Sequence, residues 1–240
     1  MIRKIVVLNP KGGSGKTTIA INLAAFYAGH EQPSVLIDCD PQSSSTRWVK
    51  KRQPHQARIH GIAAFERNAR VTRSFQLRIP AGSVRVVVDT PAAVPGHELA
   101  ELVRGADAIL VPVLPSDIDI HACSRCISDL LLVAKVRRSE QRIGVVANRV
   151  RRNTLTFGTL MRFLGTLQIP VVATLRDSQN YVRAAELGVG IHEMKPYLVR
   201  EDTETWRPLI EWVEGRRIIV PPVEPVESEA LAPPKLEAAV

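Results

Sequence analysis

The residue types with the most chemistry in them are crowded into positions 11–18: Lys11-Gly12-Gly13-Ser14-Gly15-Lys16-Thr17-Thr18. Gly12, Gly13 and Gly15 let backbone N–H groups close around phosphate oxygens, where side chains would intrude. The run that follows, from Ile19 to Phe26, is helix-forming, so the loop also lies at a helix N-terminus with its partial positive charge. Lys16 has the reach to meet β- and γ-phosphates, and the Thr17 hydroxyl can ligate Mg²⁺. The common form of such a loop, G-x-x-x-x-G-K-[ST], would put its first glycine at position 10. Here Pro10 stands there and Lys11 follows it. Carboxylates end two later apolar runs. Val35-Leu36-Ile37 leads into Asp38-Cys39-Asp40-Pro41-Gln42, and Val86-Val87-Val88 leads into Asp89-Thr90-Pro91. An apolar strand ending in Asp, downstream of a phosphate loop, is the pattern that holds a Mg²⁺ shell (Walker B).

Those groups need a scaffold that brings several strand ends together. Short apolar runs predict buried parallel strands at Lys4–Leu8, Val35–Ile37, Val84–Val88, Ala108–Val113, Ile143–Ala147 and Val171–Leu175. Helical stretches alternate with them, at Thr17–Gly29, Asp119–Arg137, Thr154–Gln168 and Ser178–Leu187. The alternation predicts an α/β fold, a doubly wound and mostly parallel sheet flanked by helices. Ligands in such sheets bind beyond the carboxyl ends of the strands, where the polar residues above sit. Residues 47–81 give a weak signal: a helix, a short extended piece at Ala57–Ile59 and a second helix near Ile62–Ala69. From about Ile218 the chain becomes rich in Pro, Glu and Ala. The expected organisation is one P-loop domain over 1–217 and an extended or disordered tail over 218–240.

Hydrophobic residues make up 45% of the 240 and charged residues 23%, the balance of a globular domain. No run of about 18 apolar residues predicts a membrane span. The first residues enter a strand directly, so a cytoplasmic protein is expected. Net charge is +8, and the acidic tail contributes −3, which leaves +11 on the body. That surplus permits binding to nucleic acid. An odd count of three cysteines, Cys39, Cys123 and Cys126, argues against a disulfide framework.

The loop K-G-G-x-G-K-T-T resembles that of the ParA/MinD family of deviant Walker A ATPases, and D-x-D-P-Q at Asp38–Gln42 resembles the family's switch element. The resemblance spans about residues 1–215 and implies ATP and Mg²⁺ as cofactors. It implies that Lys11 crosses a dimer interface to the partner's nucleotide, so the catalytic set is Lys11, Lys16 and Asp40. Nucleotide would be held by Gly12, Gly13, Ser14, Gly15, Lys16, Thr17 and Thr18. Mg²⁺ would be held by Thr17, Asp38 and Asp89, and Asp40 would hold the attacking water. In related nucleotide-binding folds an Asn-Arg pair at the place of Asn148-Arg149 contacts the adenine edge, and Asn can both donate and accept as base recognition needs.

Four branches of the family fit the loop. A ParA-like positioning ATPase would dimerise with ATP, bind DNA without sequence preference, and hydrolyse ATP when a ParB-like or McdB-like adaptor stimulates it. It would be cytoplasmic and nucleoid-associated. Arg149, Arg151, Arg152, Arg183, Lys195, Arg200 and Arg207 are the candidate DNA contacts, since non-specific binding needs only phosphate neutralisation. The segments 116–122 and 176–195 resemble the carboxysome-distribution (McdA) type, with plasmid or chromosome partition as the alternative. A MinD-like membrane ATPase would end in a basic amphipathic helix, whereas this chain ends in proline and glutamate, so no membrane partner is expected. An iron–sulfur ATPase would use Cys123-x-x-Cys126, but on the predicted helix Cys123 shares a face with Ile127 and Leu130 and reads as packing. A small-molecule ligase would need a substrate pocket motif that is not visible.

Overall fold

The computed structural model describes residues 2–65 and 78–215. Seven strands form one sheet in the order β3-β2-β4-β1-β5-β6-β7. They are β1 (Arg3–Val7), β2 (Ser34–Asp38), β3 (Ile59–Ala63), β4 (Arg85–Asp89), β5 (Ala108–Val113), β6 (Ile143–Val150) and β7 (Val171–Arg176). Every pairing among them is parallel. The seven described α-helices are α1 (Lys16–Gly29), α2 (Ser44–Lys51), α3 (Gly96–Val103), α4 (Asp117–Leu132), α5 (Leu155–Thr166), α6 (Asn180–Leu187) and α7 (Pro196–Val213). This is the doubly wound architecture that the alternation predicts.

Alternate side chains of the central strands feed two separate cores. Val6, Val86, Val88, Ile109 and Val111 pack with Cys123, Ile127 and Leu130 of α4 and Leu160 of α5. Ile5, Val7, Val87 and Leu110 pack with Ile19 and Leu23 of α1 and Trp206 and Leu209 of α7. Both faces of the sheet are thus covered, which is why the strands read as unbroken apolar runs rather than alternating ones.

Four elements differ from expectation. Ile59–Ala63 is a full edge strand, paired with β2 from Ser34↔Ile59 to Asp38↔Ala63. Ile62 and Ala63 therefore lie in that strand and not in a helix; Ile62 is buried against the core, which a short extended piece would not achieve. The rest of the expected second helix, 66–69, lies outside the described residues, as does the tail. Helices α3 and α7 were not expected. Helix α4 stops at Leu132 rather than Arg137 because Lys135 takes a left-handed φ of 54° and the Val136 N–H turns back to the Leu130 carbonyl at 2.9 Å.

Helix α2 is pinned at its far end. Arg52, which follows it, pairs bidentately with Glu193 at 2.7 and 2.8 Å and lies over the Trp48 ring. Gly188 packs so closely there that a Cβ would lie 2.9 Å from the Lys51 carbonyl carbon. Glu193 belongs to a 3-10 turn, Ile191–Glu193, whose first N–H donates to Asn22 Oδ1 of α1 at 2.6 Å.

His192 in that turn is wedged between Phe26 and Trp206, with ring centroids 5.0 and 5.8 Å away. Burial, and then the charge of His30, pull its pKa from 6.5 down to about 4. The unfolded chain therefore takes up a proton that the folded chain refuses. The stability this neutral ring gives is complete above pH 6.5 and drains away as the pH falls toward 4. The expected loss is on the order of 2 kcal/mol. Urea unfolding midpoints measured from pH 7 to 4.5 check it: His192→Leu should flatten that part of the curve, and an unchanged slope would be contrary evidence.

Candidate nucleotide site

Strand β1 ends in the middle of the sheet, and the loop it feeds is fixed from several sides. Asn9 is buried; its Nδ2 donates to the Pro112 carbonyl at 2.6 Å, and its Oδ1 accepts the Lys11 N–H at 2.8 Å. The Lys11 carbonyl accepts from Ser14 Oγ at 3.2 Å and from Lys16 Nζ at 3.0 Å. Asn148, at the end of β6, donates its Nδ2 to the Ser14 carbonyl at 2.9 Å. Gly15 precedes α1 with φ 96° and supplies no side-chain cap. The first N–H groups of α1 are thus left for a ligand, the arrangement that binds anions. On the other side, Ala93 takes a left-handed φ of 57° and donates its N–H to the Pro10 carbonyl at 3.1 Å.

The acids come from the two strands beside the loop. In register, Asp38 lies opposite Asp89, and Asp89 opposite Val7. Asp38 is 1% exposed and accepts from the Asp40 N–H at 3.0 Å and the Thr46 N–H at 2.8 Å. Asp40 accepts the Gln42 N–H at 2.9 Å and stays half-buried. Both oxygens of Asp89 are buried without a hydrogen bond of full geometry, although the Thr17 and Ser45 hydroxyls lie close enough to favour its charged form. Burial is the main cause that raises its pKa to about 7, with the Asp38 charge adding to it and nearby Thr17, Ser45 and Lys16 opposing it. Lys16 is itself pulled below the usual lysine range by burial, against the pull of Asp89 and Asp40.

An orphaned buried carboxylate beside a second carboxylate and a threonine hydroxyl is a donor set of hard oxygens, which suits Mg²⁺. Thr17, Asp38 and Asp89 fit that ion on chemistry and placement. The loop, Lys16, Asp40 and these three residues all meet at the carboxyl ends of β1, β2 and β4.

The family of CobQ/CobB/MinD/ParA nucleotide-binding domains matches residues 5–191. The chain belongs to that family. It is 34% identical over 217 residues to the maintenance of carboxysome distribution protein A of Gloeobacter kilaueensis, covering 87% of this chain and 93% of the relative. Two solved structures share the fold of this CobQ/CobB/MinD/ParA member. One is described as a plasmid partition protein from Borrelia burgdorferi B31 bound to AMPPNP, with TM-score 0.66, 15% identity, and 88% of this chain and all of that one covered. The other is a Cyanothece McdA variant in complex with ATP, with TM-score 0.65, 17% identity, and 92% and 99% covered. ParA/MinD proteins are ATPases, so the chain is placed among positioning ATPases at the level of the family.

Other sequence-predicted residues lie apart from this centre. Arg149 and Arg151 both pair with Asp177, at 3.3 and 2.9 Å, and Arg200 pairs with Glu204 at 3.2 Å. Arg152, Arg183, Lys195 and Arg207 are exposed and make no ion pair among the described residues. Cys123 and Cys126 are buried in the core on α4. Burial pushes the Cys123 thiol up to about 12 and Cys126 higher still. Thiols so protonated are poor ligands, and their neighbours are the apolar ones that the helical spacing predicts. No described helix is long and apolar enough to cross a membrane.

Sequence reasoning missed Asp119. It is 1% exposed, lies in the first turn of α4, and binds Lys11 Nζ at 2.5 Å. The acidic run Asp117–Asp119 after a strand was visible in sequence, but nothing local ties it to a lysine 108 residues away.

Proposed function

We propose that this chain is a ParA-like ATPase that closes into an ATP-dependent sandwich homodimer, binds DNA without sequence preference, and positions a protein cargo. One observation supports it above the others: the loop that presents Lys11 at its rim meets, at the same strand ends, the buried carboxylates Asp38 and Asp89. Lys16 and the loop N–H groups would hold the phosphates, and Thr17, Asp38 and Asp89 the Mg²⁺. Bound Mg²⁺ supplies charge neutralisation between the phosphate oxygens. Asp40 would orient the attacking water. Asn148 spends its Nδ2 on Ser14, so its Oδ1, which already takes the Arg149 N–H at 3.0 Å, is the atom left to accept from an adenine amine. The similarity to a carboxysome distribution protein over most of both chains supports a carboxysome-type cargo, and the resemblance to ParA-like ATPases implies an adaptor partner that stimulates hydrolysis.

The DNA surface would draw on Arg152, Arg183, Lys195 and Arg207, whose charges are not already matched. A mobility shift on random-sequence duplex, with and without ATP and Mg²⁺, tests the reading. An ATP-dependent shift that fades steeply with salt is expected, and it should vanish in Lys16→Ala. Removing both Arg183 and Lys195 takes away two cations from each subunit and should reduce the slope of log affinity against log salt by about 3.6 for the dimer. Absence of any ATP-dependent shift at low salt would refute the DNA step.

A further inference from the structure

The ion pair between Lys11 and Asp119 is unequal in a way that matters. The Lys11 side chain is 33% exposed and the Asp119 side chain 2%. Lys11 sits at the rim of the site and can swing into solvent. Asp119 cannot follow it. Its N–H bonds Ser116 Oγ at 3.2 Å, and the same hydroxyl donates back to Asp119 Oδ2, so the capping residue of α4 fixes the carboxylate in place. Its other oxygen, Oδ1, is buried and has no partner. The neighbouring Ile118 is 71% exposed, so this turn of α4 reaches the surface beside the lysine. The lysine backbone does not move freely either, because Asn9, Ser14 and Lys16 all bond it. Only the side chain has two places to go.

We propose that Asp119 is a positioning residue that holds Lys11 within its own subunit and so sets how much phosphate charge a partner subunit must offer before Lys11 crosses to it. This rests on the reading of Lys11 as the residue that crosses. When Lys11 leaves, Asp119 stays behind as a buried charge without its cation, and stranding one half of a buried pair is costly. The partner's nucleotide must more than offset that cost. A triphosphate offers more charge at the lysine than a diphosphate, so the pair favours release toward ATP over ADP. Without Asp119 the barrier to crossing falls and the discrimination weakens.

The test is dimerisation of the full chain followed by light scattering during ATP and ADP titrations. Asp119→Asn keeps the shape and the hydrogen bond to Ser116 but removes the charge. The ATP concentration for half-dimerisation is expected to fall on the order of tenfold, and ADP should begin to support dimers. An unchanged or raised ATP requirement would overturn the proposal. Ser116→Ala, which loosens the carboxylate without touching its charge, should shift the curve the same way by less; if Asp119→Asn does not fold, this variant decides, and no shift counts against the proposal. Lys11→Ala separates the two layers. If it dimerises like the parent chain, the crossing itself is wrong. If it stays monomeric and Asp119→Asn added to it restores dimers, Asp119 acts through something other than Lys11 and the proposal fails. A double variant that stays monomeric supports it.

Discussion

Gly15→Ala is expected to weaken ATP binding by about 100-fold or more while leaving a folded chain. Two independent effects combine. The residue sits at φ 96°, a conformation that L side chains rarely adopt, and a Cβ there would lie 2.1 Å from Asn148 Nδ2. Asn148 is 5% exposed and its amide is engaged with Ser14, so it has little room to retreat. Either the loop opens, which misplaces the N–H groups that would meet phosphate, or Asn148 gives up the loop. Fluorescent-nucleotide titration measures the loss. Adding Asn148→Ala would remove the collision but also the loop anchor on the Ser14 carbonyl and the proposed adenine contact, so the double variant should bind no better than Gly15→Ala. Binding within threefold of the parent in Gly15→Ala alone would mean that the loop rearranges at little cost and that the described geometry is not the binding one.

Asp89→Asn should move stability and activity in opposite directions. The carboxylate is fully buried without a hydrogen bond of full geometry, and burial drives it toward the neutral form despite the Thr17 and Ser45 hydroxyls nearby. Neutral Asn of the same shape relieves that cost, and the chain without nucleotide should gain on the order of 1–2 kcal/mol. Lys16 loses one attractive neighbour but keeps Asp40 and its bond to the Lys11 carbonyl, so the gain is not cancelled. The same change removes a proposed Mg²⁺ ligand, and Mg²⁺-dependent phosphate release should fall by about 100-fold or more. Urea unfolding and a phosphate-release assay read the two effects. A variant that is less stable and fully active would show that Asp89 is an ordinary core anion stabilised by contacts not described above.

Why some of this was legible in the sequence and some was not has a physical basis. The loop, Asp38, Asp40 and Asp89 were readable because each is a strand end: an apolar run fixes where the strand stops, and the next residue must lie at the carboxyl edge of the sheet. Helix α7 was not. Its buried positions, Val199, Asp202, Trp206, Leu209 and Val213, do follow a helical period. But an Asp in the buried row and Pro208 in the middle both argue locally against it. Asp202 is tolerated because Ser178 and Asn180 donate to it and Arg176 stands beside it, partners supplied by the end of β7, the turn after it and the start of α6. Edge strand β3 has Gly61 in its centre and two exposed residues, so its apolar signal is thin. The Lys11–Asp119 pair depends wholly on how β1 and β5 lie side by side, and pairing across strands leaves no trace in local spacing.

The pinning of α2 has a mechanical meaning. One end of this helix hangs on Asp38 through the Thr46 N–H, and the other is bolted through Arg52 to the 3-10 turn that rests on α1. Eight residues span about 12 Å, so any tilt of the helix would turn about its fixed end at Arg52. Rotation of about 10° at the carboxylate end sweeps that end by roughly 2 Å. Alternatively the bolt carries the motion onward into the 3-10 turn and the His192 wedge. In either case a shift at the acidic end would reach α1 through Asn22, on the helix that opens directly after the glycine-rich loop.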